Sequence, residues 1–141
     1  MLVKDLCTED VATINFDATI RDAAAKMADR NVGSLIVVNE SGTPHGILTD
    51  RDIATSVVAQ GMDVDQTIVE EVMAHPVVSI RDTAEMEMAL NCMTFGMRRV
   101  PVVDGEDRLV GIVSLDDFLL MYSKEFDHVR RVLQKEMHLP A

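Results

Sequence analysis

Aromatic and basic residues are scarce in this sequence of 141 residues. It has no Trp, one Tyr and four Phe, and 24 Asp and Glu outnumber 13 Lys and Arg, which gives a formal net charge of −11. Nucleic acids and anionic membrane surfaces are bound mainly through clustered Lys and Arg. The composition therefore argues against nucleic acid and against membrane as partners.

Cysteine and long apolar runs are equally rare. The two cysteines, Cys7 and Cys92, both lie in segments that we predict to be packed, and no disulfide is expected between them. The sequence shows no signal peptide and no apolar run of about 18 residues. We therefore expect a reduced, cytoplasmic protein.

Sequence motifs of enzymes and metal sites are missing as well. There is no P-loop, no GxGxxG and no Ser/His/Asp order, and the cysteines and histidines show no CxxC or HxxxH spacing. We therefore predict neither a metal site nor catalysis. Two pairs of carboxylates could serve acid–base chemistry, but they stand where helix caps belong: Asp50/Asp52 and Asp116/Asp117.

Apolar residues nevertheless make up 48% of the chain, and they include ten Met. This content suffices for the core of one domain, or of two small halves that share one core. With so few aromatic residues, the core is expected to be aliphatic, with Met filling irregular gaps between helices.

One motif occurs twice, at Gly46–Ile53 and, 65 positions later, at Gly111–Phe118. Each copy has Gly, two branched apolar residues, Thr or Ser, two variable positions, Asp and an apolar residue. This pattern predicts a buried strand that ends at the hydroxyl residue and is followed directly by a helix. The hydroxyl residue and the Asp then occupy the N-cap and N3 positions of that helix.

The motif has two interpretations. Thr49-x-x-Asp52 and Ser114-x-x-Asp117 are variants of the capping box, which closes the N-terminus of a helix. The same N-terminus can also hold a phosphate or a sugar, since its backbone N–H groups and dipole attract anions. The hydroxyl would then donate to a phosphate or ribose oxygen, and the carboxylate would accept from ribose hydroxyls. Duplication of the whole surrounding unit favours this second interpretation.

That unit has the order strand, helix, strand, strand, helix in each half, at an offset of 66 and then 65 residues. In the first half we predict strands at Val11–Ile14, Ser34–Val38 and His45–Leu48, a helix after Thr19, and a helix from Asp50 to about Ala59. In the second half we predict strands at Val77–Ile80, Val100–Asp104 and Leu109–Val113, a helix that opens near Thr83, and a helix after Ser114.

We divide the chain into a first repeat at 1–66, a second repeat at 67–122 and a C-terminal helical extension at 123–141. Apolar side chains recur along one face of the otherwise charged extension: Phe126, Val129, Val132, Leu133 and Met137. The extension either continues the last helix or forms a separate helix that packs on the module or on a second copy.

The doubled motif, together with the stretches VGSLIVVNESG and RRVPVVDGED, closely resembles a tandem pair of CBS domains, the Bateman module, in its free-standing prokaryotic form. The resemblance covers about residues 3 to 122. It implies a mixed α/β (α+β) fold in which two pseudo-symmetric β-α-β-β-α repeats pack into one module, here followed by a C-terminal helix. It also implies two clefts that bind adenine-containing ligands, and dimers that form flat discs, either parallel or antiparallel.

The resemblance also implies which residues line the clefts. The hydroxyl and Asp of one repeat would hold the ribose, while the first strand and the helix-to-strand turn of the other repeat line the adenine and phosphate. The first cleft would use Thr49, Asp52, Met73, Val78, Arg98 and Arg99, with Arg51 and His45 at its rim. The second cleft would use Ser114, Asp117, Cys7, Ala12, Val32 and Gly33.

The two clefts are not equivalent in sequence. The first contains Arg98 and Arg99, which can make charge-assisted bonds to a phosphate group or can be solvated charges. The second has Val32 and Gly33 at the matching place and is expected to be more apolar. We therefore predict that the first cleft is the better nucleotide site.

The resemblance and these residues lead to the hypothesis that the protein is a non-catalytic regulatory module. It would sense AMP, ADP or ATP and transmit the ligand state to a partner protein. NAD or S-adenosylmethionine are alternative ligands, since the ribose contacts are shared. A ligand-free module whose purpose is dimerisation or another protein interaction is the competing hypothesis. No cofactor beyond the ligand is expected.

Overall fold

Two three-stranded sheets, one from each half of the sequence, form the framework of the protein. The structure is a computed structural model in which residues 1–138 are described. The first sheet contains β1 (Thr13–Asn15), β2 (Ser34–Val38) and β3 (Pro44–Thr49). The second contains β4 (Ile80–Arg81), β5 (Arg99–Val103) and β6 (Leu109–Ser114). In each sheet the middle strand pairs parallel with the first strand and antiparallel with the third.

The first helix of each repeat connects the first strand to the second. Helix α1 (Ile20–Arg30) begins as predicted after Thr19, whose hydroxyl accepts a hydrogen bond from the N–H of Asp22 at 3.1 Å. The matching helix α3 is shorter (Met86–Met93), and its N-cap residue, Glu85, makes no side-chain cap bond. The second repeat therefore opens its helix without the hydroxyl cap that the first repeat has.

The closing helices of the two repeats differ more. In the first repeat, α2 (Asp50–Asp52) continues as a π-helix at Ile53–Val58. In the second repeat, α4 runs without interruption over Leu115–Met137, a length of 23 residues. The predicted extension is thus a continuation of the last helix and not a separate element; its residues 139–141 lie outside the described residues.

Strand β4 is shorter than the predicted Val77–Ile80, and proline explains part of the difference. In the first repeat the N–H of Ile36 donates to the carbonyl of Ala12 at 3.0 Å, which extends the pairing of the first strand. The residue that matches Ile36 in the second repeat is Pro101, which has no N–H. The matching bond to Val78 cannot form, and regular pairing starts only at Ile80.

The short segments that precede the first strand of each repeat cross over to the other repeat. The turn Val3–Asp5 packs on the second repeat, where the N–H of Val3 donates to the carbonyl of Ala84 at 2.9 Å. The turn Val69–Glu71 packs on the first repeat, where Val69 donates to Ala18 at 2.8 Å. Val3 and Val69 are accordingly buried in the core of the opposite repeat. This exchange joins the two repeats through backbone bonds as well as apolar contacts.

Each repeat has its own aliphatic core between its sheet and its helices. The first is built around Leu35, Val37 and Leu48 and the second around Val100, Val113 and Phe118. None of the helices in residues 1–138 combines the length and apolar character that crossing a membrane requires.

Candidate functional site

Both predicted Thr/Ser-x-x-Asp motifs form closed capping boxes. Thr49 Oγ1 accepts from the N–H of Asp52 at 3.1 Å, and Asp52 Oδ2 accepts from the N–H of Thr49 at 3.0 Å. The Ser114–Asp117 pair repeats both bonds at 3.2 and 2.8 Å. A hydroxyl that accepts in this way can still donate its own proton, and each carboxylate keeps its Oδ1. The structural role of the motif is therefore compatible with ligand binding.

The first cleft lies where β3 of the first repeat faces the start of β5 in the second. It has a volume of about 240 Å³ and brings Thr49 together with Arg98 and Arg99, as the sequence predicts. Its remaining lining residues are Ser34, Ile36, Ile47, Gly96 and Met97. A hydroxyl from one repeat and two guanidinium groups from the other thus line one concave surface.

The second cleft, of about 310 Å³, brings together three of the residues predicted for it: Ala12, Val32 and Gly33. Ile112 of the second repeat forms the opposite wall, and Ser34 and Ile36 are shared with the first cleft. Asp10, Val11 and Asn31 complete the first repeat's side of this cleft. Ser114, Asp117 and Cys7 are not among its lining residues.

Arg99 lines both clefts, so the predicted contrast between an arginine-bearing first cleft and an apolar second cleft is wrong in part. The second cleft has acidic groups as well. Asp10 lines it, and the Asp50 carboxylate lies so close to Gly33 that a Cβ there would be 3.1 Å from Asp50 Oδ2. What distinguishes the first cleft is that it has Arg98 in addition to Arg99 and no carboxylate in its lining.

Met73 and Cys7 occupy matching places behind the clefts. Each packs against the glycine of the opposite repeat's motif, where an added Cβ would be 2.6 Å from Met73 Sδ at Gly46 and 2.8 Å from Cys7 Sγ at Gly111. Met73 is buried, and burial, followed by the charge of Glu9, raises the pKa of the Cys7 thiol. The raised pKa favours the neutral form of the free Cys7 thiol.

Other predicted site residues lie outside the two clefts. Val78 is half exposed and lines an apolar cavity on α3. Asp117 lines a cavity beside the N-terminus, and His45 lines one with Met73 and His75. Arg51 is exposed, and its N–H donates to Asp50 Oδ1 at 2.8 Å. Asp52 reaches the first cleft only through its capping bonds to Thr49.

Several lining residues were not predicted from the sequence, among them Ser34, Ile36 and Asp10. Ser34 is the β2 residue paired directly with Thr49, and Arg99 is paired in the same way with Ser114. The internal repeat contains a signal for Ser34, because it is the residue that matches Arg99. Asp10 precedes β1 and carries no comparable pattern.

The charges of Arg98 and Arg99 have no carboxylate partner among residues 1–138. Both side chains are exposed, and within residues 1–138 neither forms an ion pair. Other arginines of this acidic chain do pair with carboxylates, as Arg30 does with Asp10 at 2.9 Å. Two adjacent unpaired guanidinium groups in a cleft are suited to an anionic ligand.

Comparison with known proteins agrees with this arrangement of repeats. The family model for the CBS domain matches the chain twice, at residues 3–59 and 69–124. The chain therefore belongs to the CBS domain family and contains a tandem CBS pair. Such pairs are generally regulatory, non-catalytic modules that commonly bind small ligands.

Similar proteins occur in bacteria and archaea. The CBS domain-containing protein YhcV of Bacillus subtilis is 47% identical over 116 residues, which cover 82% of this chain and 81% of YhcV. Protein MK0525 of Methanopyrus kandleri is 36% identical over 118 residues, and these cover 83% of this chain but 60% of the relative's length. The crystal structure of the CBS domain pair of protein MJ0100 in complex with 5′-methylthioadenosine and S-adenosyl-L-methionine has a TM-score of 0.75 at 29% identity, covering 89% of this chain and 98% of that one.

Proposed function

We propose that the protein is a non-catalytic sensor that binds an adenine nucleotide, AMP, ADP or ATP, in the first cleft. The observation that carries this proposal is the position of Arg98 and Arg99, which line the cleft with Thr49 and have no ion-pair partner in residues 1–138. Guanidinium groups bind phosphate through charge-assisted bonds. They give the cleft a preference for a phosphorylated ligand over a neutral nucleoside.

In this arrangement each repeat binds a different part of the ligand. Thr49 donates to the ribose, Asp52 Oδ1 accepts from a ribose hydroxyl, and Arg98 and Arg99 hold the phosphate groups. The apolar residues Ile36, Ile47 and Met97 surround the base. Met73 packs against Gly46 of β3, whereas Val78 lines a separate cavity and is not a contact of the base in this arrangement. A nucleotide thus links the two repeats and favours one relative position of the two over others.

The second cleft would take a second or weaker ligand. Cys7, Ala12, Val32, Gly33, Ser114 and Asp117 are its proposed contacts. Asp10 and Asp50 oppose a polyphosphate there, whereas Arg99 can serve either cleft, because it lines both. The two clefts share Ser34, Ile36 and Arg99, so a ligand longer than a mononucleotide, such as NAD, would extend from the first cleft toward the second.

S-adenosylmethionine is the second candidate ligand, because the MJ0100 pair is in complex with it and with 5′-methylthioadenosine. Both are adenosine derivatives without phosphate groups. If this chain binds them instead, Arg98 and Arg99 contribute little to affinity. The effect of these two arginines therefore separates a nucleotide sensor from a sensor of S-adenosylmethionine.

The sensing unit comprises repeats at 1–66 and 67–122, with the extension at 123–141 transmitting the ligand state. We propose that the protein acts as a homodimer and that a regulated partner protein binds the dimer. Since adenine nucleotides that report energy state are cytoplasmic ligands, the proposal also places the protein in the cytoplasm.

The experiment is isothermal titration and thermal shift with AMP, ADP, ATP, NAD and S-adenosylmethionine. Wild-type protein is compared with Asp52→Ala, and Asp117→Ala serves as the matched control because it loses the equivalent cap bonds. A ligand present at a free concentration of 100 times its Kd stabilises the native state by about 2.7 kcal/mol. We expect one adenine nucleotide to raise the melting temperature of wild type and of Asp117→Ala, with a much smaller rise in Asp52→Ala.

Arg98→Gln/Arg99→Gln sharpens the assignment. We expect this double variant to raise the Kd for the nucleotide by about 10-fold or more and to leave S-adenosylmethionine binding nearly unchanged. If no ligand of the panel binds wild type at millimolar concentration, the motifs are helix caps only. The protein is then an interaction module.

A further inference from the structure

Helix α4 carries an exposed apolar stripe. Its five members are Leu119, Tyr122, Phe126, Val129 and Leu133, with exposed fractions of 59, 41, 73, 53 and 47%. They follow one another at spacings of three, four, three and four residues. This is the a/d spacing of a coiled coil, in which Leu119, Phe126 and Leu133 take the a positions. We call these five residues the α4 stripe.

The α4 stripe is longer and more apolar than a free surface usually is. A helix of 23 residues is about 34 Å long, and the stripe follows most of it. The α4 stripe consists of two aromatic and three aliphatic side chains. Together they expose an area on the order of the largest apolar patch of a typical monomer, about 300–600 Å². Patches of this size on a monomer usually mark an interaction site.

The charges beside the α4 stripe identify what covers it. Glu125 lies on one side, at a g position, and Arg130 on the other, at an e position five residues later. When two copies of one helix pair in parallel and in register, a g residue faces the e residue five positions on in the second copy. The two-fold symmetry of the pair gives two such contacts, each between Glu125 of one copy and Arg130 of the other. An antiparallel pair brings e residues toward e and g toward g, so Glu125 would not face Arg130 in it.

Both charges are available for such a pair. Glu125 is exposed and has no ion pair in residues 1–138. Arg130 contacts Asp127 at 2.7 Å and donates to Gln134 Oε1 at 2.8 Å, and Asp127 is shared with Arg131 at 3.0 Å. Exposed contacts of this kind contribute little to stability, so Arg130 can exchange them for Glu125 of a second copy.

We propose that two copies of this chain pair through the α4 stripe as parallel, in-register helices. This inference deepens the dimer of the proposed function. The two-fold axis runs along α4, so the second repeats lie side by side and the two copies point the same way. The repeats agree with this orientation, since α1 of the first repeat has charged residues where α3 and the turn after it in the second repeat have exposed apolar ones: Asp22 against Met88 and Asp29 against Phe95.

The first test is the mass of the full chain in solution, by light scattering and sedimentation. We expect wild type to be a dimer and Phe126→Glu, which buries a charge at the centre of the interface, to raise the dimer Kd by at least about 30-fold. His128→Glu is the matched control, because it adds the same charge to the same helix away from the stripe, and it should leave the dimer intact. A monomeric wild type, or a Phe126→Glu variant that dimerises as wild type does, overturns the proposal.

Charge reversal tests the orientation. Glu125→Arg and Arg130→Glu alone should each weaken the dimer by about 5-fold, because each creates like-charge contacts across the interface. The double variant restores opposite charges and should recover most of the wild-type affinity. Single reversals without effect, or losses that merely add in the double variant, overturn the parallel pairing.

Cysteine cross-linking gives an independent readout. In parallel helices every d residue faces its own copy, so oxidation should cross-link Tyr122→Cys and, separately, Val129→Cys. In antiparallel helices at most one position along the pair faces itself. Wild-type protein controls for Cys7 and Cys92. Cross-linking at only one of the two sites, or at neither, overturns the proposal.

These outcomes are separable from ligand binding. Nucleotide binding by the Phe126→Glu monomer is measured by titration, and the cleft residues are unchanged in it. A Phe126→Glu variant that is monomeric and still binds nucleotide shows that pairing and ligand binding are separate properties. A wild-type dimer that binds no ligand contradicts only the sensor proposal.

Discussion

The first and second repeats have the same topology but differ in what they expose. The first repeat has small residues at positions where the second has arginines, namely Gly33 against Arg98 and Ser34 against Arg99. Its closing helix turns into a π-helix that ends at Val58, whereas that of the second repeat continues to Met137. In the proposed function the repeats divide the tasks: the first supplies the ribose side of the first cleft, and the second supplies its phosphate side and the proposed dimer surface.

The difference extends to the backbone. Pro101 shortens β4, while Ile36 keeps the matching pairing of the first sheet. Helix α3 is three residues shorter than α1, at 8 against 11 residues, and lacks the hydroxyl cap. The first strand and the first helix of the second repeat are thus less extensively hydrogen-bonded than their counterparts in the first repeat. The second repeat is therefore the side that we expect a ligand to order.

The largest expected effect tests whether the second repeat depends on its closing helix more than the first does. Phe118 is 1% exposed in the second core, and the matching residue, Ile53, is only partly buried. We expect Phe118→Ala to lower the free energy of unfolding by about 3–5 kcal/mol and Ile53→Ala by roughly 1–2 kcal/mol. Urea titration measures both. Equal losses would show that the two closing helices support their cores equally.

An intermediate effect concerns the crossing segments. An added Cβ at Gly46 would meet Met73 Sδ at 2.6 Å and the Ala74 carbonyl at 2.8 Å, whereas at Gly111 it would meet Cys7 Sγ at 2.8 Å and the Thr8 carbonyl at 3.0 Å. Gly46→Ala should cost about 2–3 kcal/mol and Gly111→Ala somewhat less, near 1–2 kcal/mol. Thermal unfolding of the two variants side by side checks the order. A larger loss at Gly111 would contradict it.

The smallest effect is a pH dependence that the second hairpin has and the first hairpin lacks. In the first hairpin Asn39 Oδ1 accepts from the N–H groups of Ser41 and Thr43, and in the second Asp104 Oδ1 accepts from Glu106 and Arg108. The backbone N–H groups of Arg108 and then Glu106 hold the pKa of the Asp104 carboxyl below its usual value. A lowered folded-state pKa gives stability that is present above the unfolded pKa and is lost as the pH falls through both values.

We therefore compare the melting temperatures of wild type and Asp104→Asn between pH 7 and about pH 3. Asparagine keeps the two hydrogen bonds, as Asn39 does, but does not titrate. We expect wild type to lose stability relative to the variant as the pH falls below about 4. A difference in melting temperature that is constant over this range would contradict the expectation.

The repeat made much of the fold predictable. Ser34–Val38, the start of α1 after Thr19 and both strand-to-helix junctions follow from apolar periodicity and cap residues, and the structure confirms them. The predicted extent of β4 was wrong, in part because the partner strand has a proline at the pairing position. A strand is limited by its partner's donors, and the pattern of one segment does not contain that information.

The site was predicted less completely. The family resemblance grouped Thr49 with Arg98 and Arg99, and Ala12 with Val32 and Gly33, and in the structure each group lines one cleft. The resemblance did not show that Arg99 would line both clefts, or that Val78 and Asp117 would line other cavities. Which surface a residue lines depends on the angle between the repeats, and local periodicity does not determine that angle.

The sequence by itself determined the elements, the duplication and the charge of this protein. Apolar spacing, helix caps and glycines act over a few residues, so their effects can be read along the chain. Only the tertiary structure decided that the leading segments cross between repeats, that the clefts share a wall at Arg99, and that α4 continues as one helix with its apolar stripe uncovered. These features depend on long-range packing, in which the free energy of a contact is set by both partners together.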